Sequence, residues 1–186
     1  MNAYILTGGR SRRMGQSKVE LFLRRIVAVA ESAFNGVVAV QRAGGEPLQI
    51  ERKIETIFEA SHEGEAAVFG IVAALRHAGQ PCFVLAVDYP LVTADLLRYL
   101  RDRGGIPTWN GRPQPLCAVW TADLLPQLEA RIEAGVFDLH TLGGQEMIPE
   151  GELRGRFGGE PLMNVNTPKE LEEAERLYGE RFLASR

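Results

Sequence analysis

Short apolar runs separated by polar loops dominate the first hundred residues of this chain. Four runs are brief and almost wholly apolar, as strands buried on both faces are. Three longer stretches place apolar residues at helical spacing. We predict strands within AYILTGG (3–9) and at 37–42, 56–59 and 82–88, and helices at 21–34, 66–79 and 94–103.

Strands and helices alternate along this half of the chain, which predicts an α/β fold. Solidly apolar strands are typical of a mostly parallel sheet with helices on both faces. Ligands of such sheets bind beyond the carboxyl ends of the strands. The loops at 7–18 and 88–93 are therefore the places to look for a site.

The second half is less regular. Its pattern predicts a strand at 115–120, a helix at 124–135 and a short strand at 161–166. A last helix is expected to run from Pro168 to about residue 178, with Thr167 as its N-cap. No internal repeat or low-complexity linker interrupts the chain, so we expect one domain over residues 1–186.

Composition narrows the class of protein. A hydrophobic content of 45% supports a sizeable core, and a net charge of −3 argues against nucleic acid as a partner. No apolar stretch approaches the length of a membrane span and no basic leader precedes the first run, so we expect a cytoplasmic protein without a membrane partner. Cys82 and Cys117 lie in apolar runs and are expected to be buried free thiols.

The loop after the first strand reads LTGGRSRRMGQSK and carries the strongest chemical signal. Gly8 and Gly9 permit close approach of the backbone to a ligand. Four cations follow within nine residues: Arg10, Arg12, Arg13 and Lys18. Because such a cluster repels itself unless an anion sits within it, we predict a site for a triphosphate. Lys18 is the more informative because the chain has three lysines against eighteen arginines.

Two further groups lie at the other candidate positions. Asp88 ends the run CFVLAVD, where a carboxylate faces the crevice of a parallel sheet, and Mg²⁺ binds through one or two carboxylates plus phosphate oxygens. Asp88 is therefore the predicted metal ligand, or else a residue that caps the next turn. The side chains of Asn164 and Asn166 either reach a ligand, or Asn166 and Thr167 cap the last helix.

Four blocks of the sequence resemble one family, the molybdenum cofactor guanylyltransferases, also called molybdopterin-guanine dinucleotide biosynthesis protein A. LTGGRSRRMGQSK is similar to the family signature LAGGxSxRMGxDK, and VDYPLV to its aspartate-x-proline motif. NGRPQPLCAVW resembles its central strand and MNVNTPKEL its NVNTPEEL block. The blocks stand in the family's order and cover nearly the whole chain. Ser17 stands where the family has aspartate.

The resemblance implies a three-layer Rossmann-like nucleotidyltransferase fold and transfer of GMP from GTP to molybdopterin, with Mg²⁺ and release of pyrophosphate. By matching position it assigns Lys18, Asp88 and Arg12 to catalysis and Asp88 to the metal. The residues expected to bind substrates or metal are Leu6, Thr7, Gly8, Gly9, Lys18, Glu59, Asp88, Asn164 and Asn166. Glu59 falls where the family has an aspartate near guanine, in an alignment anchored on Gly70.

Two questions stay open: which nucleotide the protein uses, and whether it has retained catalysis. Gly8 and Gly9 resemble the guanine users, whereas cytidylyl relatives on this fold have alanine then glycine. A cytidylyl- or sugar-phosphate nucleotidyltransferase is the second enzyme hypothesis. A nucleotide-binding homologue that has lost catalysis is the third, with Ser17 as its support. We also expect transient contact with proteins that deliver the cofactor or mature molybdoenzymes.

Overall fold

The computed structural model describes residues 1–8, 18–45, 48, 54–60 and 66–179, and these contain eight strands and six α-helices. The strands are β1 (Ala3–Leu6), β2 (Val37–Gln41), β3 (Glu55–Phe58), β4 (Cys82–Ala86), β5 (Ile106–Trp109), β6 (Arg112–Pro113), β7 (Cys117–Trp120) and β8 (Met147–Ile148). The helices are α1 (Lys18–Glu31), α2 (Ala67–Ala78), α3 (Ala94–Arg103), α4 (Leu125–Glu133), α5 (Glu150–Phe157) and α6 (Pro168–Tyr178).

Five strands form the central sheet, in the order β3-β2-β1-β4-β7. β1 pairs in parallel with β2 on one side and with β4 on the other, and β3 continues the parallel set beyond β2. β7 pairs antiparallel with β4 and closes that edge. The prediction of an α/β fold with a mostly parallel sheet is confirmed.

Helices cover both faces of this sheet. The connection from β1 to β2 moves in one direction across the sheet, and the connection from β3 to β4 moves in the other. Right-handed crossovers therefore place α1 and α2 on opposite faces. α1 packs against α3, and α2 packs against α4, which gives a three-layer arrangement.

The apolar runs account for the core. Every residue of β1, β4 and β7 is buried, whereas the edge strand β3 is only partly covered. Removing apolar surface from water contributes about 25 cal/mol per Å², so these central strands supply much of the driving force for folding. Cys82 and Cys117 are free thiols inside this core, as expected.

A small second sheet, in the order β6-β5-β8, was missed from the sequence. Asn110 and Gly111 join β5 to β6 in a tight hairpin, with φ angles of 50° and 69°. Positive φ at both central residues is the geometry that an Asn-Gly pair favours, so this dipeptide was the available signal. Gly105 precedes β5, and a Cβ there would lie 2.3 Å from the Glu146 carbonyl oxygen, so only glycine fits beside β8.

The boundaries of several predicted elements also change. The strand expected at 161–166 is wrong: these residues form turns and irregular backbone that cross the ends of the sheet strands. β4 stops at Ala86, so Asp88 lies in a turn just beyond the strand. α1 starts at Lys18, three residues earlier than predicted, and α5 was not predicted at all. No helix in the described ranges combines the length and the hydropathy needed to cross a membrane.

Candidate active site

The crevice lies between β1 and β4, where the order of the strands reverses. Leu6 and Ala86 are register partners at the carboxyl ends of these strands. The Val87 N–H then donates to the Leu6 carbonyl at 3.2 Å, so the two following loops leave the sheet side by side. Such a reversal opens a crevice for ligands, and both loops singled out from the sequence begin there.

The first loop begins with a fixed threonine and an open glycine. The backbone N–H of Thr7 and its hydroxyl both donate to the Val40 carbonyl, at 3.0 and 2.9 Å. The buried Thr7 side chain therefore holds the start of the loop against β2. Among the residues that the structure describes, none has an atom within 4 Å of a Cβ built at Gly8, so Gly8 borders open space on that side.

Most of the cationic loop lies outside the described residues. Gly9, Arg10, Arg12, Arg13 and Ser17 are in the part that is not described. Lys18 is the first residue of α1, and its side chain is likewise outside the description. The roles expected for Gly9, Arg12 and Lys18 remain predictions.

Glu59 lies near Leu6, because the side chains of both residues approach Gly70 of α2. Glu59 follows β3, and its backbone N–H donates to the Gln41 carbonyl at 2.8 Å. A Cβ built at Gly70 in α2 would lie 3.0 Å from Leu6 Cδ2 and 3.6 Å from Glu59 Oε2. The missing side chain of Gly70 thus lets α2 approach both residues closely.

The second loop carries Asp88 in a turn that is fastened from three sides. Tyr89 N–H bonds the Ala86 carbonyl at 3.4 Å, which closes the turn. Arg25 of α1 donates through Nε to the Pro90 carbonyl at 2.7 Å. Burial lowers the pKa of the Arg25 guanidinium. Thr93 then accepts from the Leu96 N–H and begins α3. No sequence motif marks Arg25, because its role depends on a contact 65 residues away along the chain.

The asparagine segment is brought to Asp88 from the far end of the chain. The Val165 N–H donates to the Asp88 carbonyl at 2.9 Å. Immediately before it, the Asn164 side chain hydrogen-bonds the Tyr89 hydroxyl. Burial, and after it the negative charge of Asp88, raises the Tyr89 pKa well above its usual value. The structure therefore brings Asp88 and Asn164 together.

Capping of α6 falls to Thr167 and Glu170. The Thr167 hydroxyl accepts from the Glu170 N–H, and the Glu170 carboxylate accepts from the Thr167 N–H at 2.9 Å. The same carboxylate accepts from the Asn166 N–H at 2.7 Å. The cap expected at Thr167 is confirmed, and Asn166 lies on the lining of the adjacent groove.

A groove of about 860 Å³ runs alongside these asparagines. Asn164, Asn166 and Gln114 lie on its lining, together with Arg112 and His140. The hairpin that carries Arg112 is held in place by α5, whose Glu150 accepts from the Gly111 N–H at 3.0 Å. The groove therefore has walls from three distant parts of the chain.

Trp109 and its partners form the rigid end of this groove. The Arg154 guanidinium lies 4.2 Å from the centre of the buried Trp109 ring, within range of a cation–π interaction. Trp109 Nε1 donates to Glu160 Oε2 at 3.0 Å, and Arg154 also contacts Glu160. None of these three residues stood out in the sequence, because their association is a product of tertiary packing.

Solved structures place this architecture among the nucleotidyltransferases. A 2-C-methyl-D-erythritol 4-phosphate cytidylyltransferase from Thermus thermophilus superposes with a TM-score of 0.56 at 16% identity, covering 94% of this chain and 97% of the other. At that identity the likeness shows the fold alone. With Gly8 after β1 and Asp88 after β4, the fold is one that nucleotidyltransferases have. The family model for the MobA-like NTP transferase domain matches residues 3–142, so the chain belongs to that family.

Named relatives agree with the family. A probable molybdenum cofactor guanylyltransferase from Pelotomaculum thermopropionicum is 31% identical, over 91% of this chain and 89% of the relative. A molybdenum cofactor guanylyltransferase from Acidiphilium cryptum is 26% identical over 94% of each chain. The crystal structure of molybdopterin-guanine dinucleotide biosynthesis protein A from Archaeoglobus fulgidus has a TM-score of 0.78 at 29% identity, covering 97% of this chain and all of the other.

Proposed function

We propose that this enzyme transfers GMP from GTP to molybdopterin and releases pyrophosphate. The observation that carries the proposal is the junction at Asp88, where the Val165 N–H meets the Asp88 carbonyl at 2.9 Å. This junction sets a nucleotide crevice beside the groove lined by Asn164 and Asn166. A group-transfer enzyme needs such adjoining sites, because its two substrates must meet in line.

The nucleotide half of the site lies at the end of β1. Open space at Gly8 leaves room for a ligand against the backbone, and Leu6, Gly70 and Glu59 form a compact wall nearby. A carboxylate such as Glu59 accepts hydrogen bonds from the N–H and amino groups of guanine, which cytosine does not present in the same way. We assign Leu6, Thr7, Gly8, Gly9 and Glu59 to the nucleoside and Lys18 and Arg12 to the phosphates.

The acceptor half is the groove beside Asn164. Arg112 lies on it, and no ion pair joins Arg112 to another residue within the part of the chain that the structure describes. A guanidinium without a carboxylate partner suits the phosphate of an anionic acceptor. The amides of Asn164 and Asn166 add donors and acceptors for the polar edge of a pterin.

A magnesium ion fits the oxygen donors on this side of the crevice. The described residues contain no group of three or more side chains of the His, Cys, Asp and Glu types that would hold a metal alone. Asp88 offers one carboxylate, and Mg²⁺ in such enzymes takes one or two carboxylates together with substrate phosphates. When bound, the ion would neutralise charge on the phosphate oxygens, with Asp88 as its protein ligand.

The proposed transfer needs no general base. The terminal phosphate of molybdopterin attacks the α-phosphorus of GTP, a new P–O bond forms, and the bond to the β-phosphate breaks. Because the nucleophile is already an anion, no proton has to be removed. The residues orient the two phosphates and offset their charge, with Lys18 and Arg12 beside the leaving pyrophosphate.

The guanylyl reading has more support than a cytidylyl one. The relatives named above carry guanylyltransferase names at 31% and 26% identity, whereas the cytidylyltransferase shares 16%. Asp88, which phosphate transfer would need, is present in the crevice. Turnover tests the remaining hypothesis of a homologue that has lost catalysis.

The test is an assay of GMP transfer with purified enzyme, GTP, Mg²⁺ and molybdopterin, together with the Asp88→Asn variant. Asparagine retains the shape of the side chain, and the Val165 N–H bonds a backbone oxygen that the substitution does not alter. We expect the melting temperature to hold while transfer falls at least about a hundredfold, which is about 2.7 kcal/mol of transition-state stabilisation. Asp95→Asn, an exposed carboxylate on α3, is the matched control. Absence of transfer by the wild type refutes the proposed function, whereas a normal rate in Asp88→Asn refutes the role given to Asp88.

A further inference from the structure

The hydroxyl of Tyr89 lies where three segments of the chain meet. Tyr89 is the neighbour of Asp88 and only 2% exposed. Its hydroxyl donates to Gln114 Oε1 at 2.8 Å and accepts from the Asn164 amide. One buried oxygen thus joins the loop after β4, the loop before β7 and the asparagine segment.

Gln114 is itself held firmly. Its Nε2 donates to the carbonyl oxygens of Trp109 and Arg112, at 3.2 and 3.1 Å. Its backbone N–H donates to the Pro107 carbonyl at 2.8 Å. Gln114 therefore links the Tyr89 hydroxyl to the β5–β6 hairpin, which forms one wall of the groove.

Asn164 is consequently fixed at two points. The Val165 N–H ties the backbone to Asp88, and the Tyr89 hydroxyl ties the side chain. Without the second contact, the amide would keep its place in the chain but lose its fixed orientation toward the groove. Gln114 Oε1 would also lose its donor in a buried position.

We propose that Tyr89 is a positioning residue, whose hydroxyl fixes the Asn164 amide in the acceptor groove and so sets where the acceptor binds relative to Asp88. The inference rests on the proposed function, since it concerns the acceptor side of that same site. Tyr89 acts through Asn164 and Gln114 and does not touch the reacting atoms. Phenylalanine preserves the ring while removing the single atom on which the role depends.

The kinetic test compares Tyr89→Phe with Tyr4→Phe. Tyr4 is a matched control, because it is 1% exposed and its hydroxyl bonds His77 Nδ1 at 2.9 Å, away from the crevice. For Tyr89→Phe we expect the KM for molybdopterin to rise about tenfold, while the KM for GTP stays within about twofold. For Tyr4→Phe we expect both constants to stay within about twofold of the wild type.

Hydrogen exchange supplies a readout that does not depend on turnover. The Val165 amide is protected by its bond to Asp88, and we expect it to exchange about tenfold faster in Tyr89→Phe but not in Tyr4→Phe. The double variant Tyr89→Phe/Asn164→Ala should bind acceptor no more weakly than Asn164→Ala, because the hydroxyl acts through that amide.

The outcomes separate the two ideas. Equal rises in both KM values, an unchanged Val165 exchange rate, or losses that multiply in the double variant would overturn the positioning role while leaving wild-type transfer in place. A wild type that transfers no GMP to molybdopterin would overturn the proposed function, and the role of Tyr89 with it.

Discussion

Replacing Gly70 with alanine tests whether the wall formed by Leu6 and Glu59 holds the nucleotide. The added Cβ would lie 3.0 Å from Leu6 Cδ2, well inside the 3.5–4.0 Å at which carbon atoms normally meet. It would also stand 3.6 Å from Glu59 Oε2, an ordinary contact. The Leu6 side chain must therefore move by a few tenths of an ångström.

Two opposing effects set the change in stability. Overpacking a well-filled site costs roughly 1–3 kcal/mol, whereas alanine in a helix is better than glycine by roughly 0.5–1 kcal/mol. The net loss is then roughly 0–2.5 kcal/mol, which lowers the melting temperature of a chain of this size by up to roughly 10 °C. A shifted Leu6 should weaken GTP binding about tenfold, or about 1.4 kcal/mol.

Gly155→Ala in α5 is the matched control. No atom in the described part of the chain lies within 4 Å of a Cβ built at Gly155, so that variant should gain stability without any change in GTP affinity. The assay combines calorimetric titration of GTP with thermal melting on the same preparations. If Gly70→Ala melts higher, as Gly155→Ala should, the close packing is not there. If it melts lower but binds GTP normally, Leu6 and Glu59 do not hold the nucleotide.

Two further predictions concern charge. Lys18→Met should weaken GTP binding by roughly 1.5–3 kcal/mol in titration calorimetry, and unchanged affinity would contradict the phosphate role. The same variant should raise the melting temperature of the free protein slightly, because a cation in the first turn of α1 opposes the helix dipole by roughly 0.3–1 kcal/mol. The free energy of unfolding in urea should be steady up to about pH 8 and fall as the pH rises from about 9 towards 12. Burial raises the pKa of both Tyr4 and Cys82 to about 12, whereas the unfolded chain releases these protons near 10.0 and 9.0. A free energy of unfolding that does not change over this pH range would contradict the prediction.

The central sheet could be predicted because each of its strands and helices has a recognisable pattern in the local sequence. β4 is a run of five buried residues, and α3 has the very bounds that its spacing predicted. Four parallel strands and their crossovers follow from such runs together with the rule of handedness. β5 and β6 have no such signal, because Pro107 and Pro113 interrupt them and β6 is two residues long.

Some residues of the candidate site could likewise be predicted from the local sequence, and others could not. The positions of Gly8, Glu59 and Asp88 could be predicted, since each follows directly on a strand end. The strand expected at 161–166 failed because Val165 makes one bond across the strand ends, to Asp88, where a ladder would have made several. Arg25, Gln114 and Trp109 depend on contacts between distant segments, which no local pattern contains.

The nucleotide half and the acceptor half of the site should differ in how readily they tolerate substitution. The nucleotide half depends on backbone geometry at the ends of β1 and β4, which cannot vary without damage to the sheet. The acceptor half depends on side-chain bonds between separate segments, such as those of Tyr89 with Gln114 and Asn164. We expect substitutions that remove only such bonds, as Tyr89→Phe does, to alter the groove and leave the central sheet in place. A cytidylyltransferase with 16% identity retains this fold, as expected if function resides in sites placed upon a conserved scaffold. Residues such as Tyr89 are therefore where the choice of acceptor should be sought, rather than in the glycine loop.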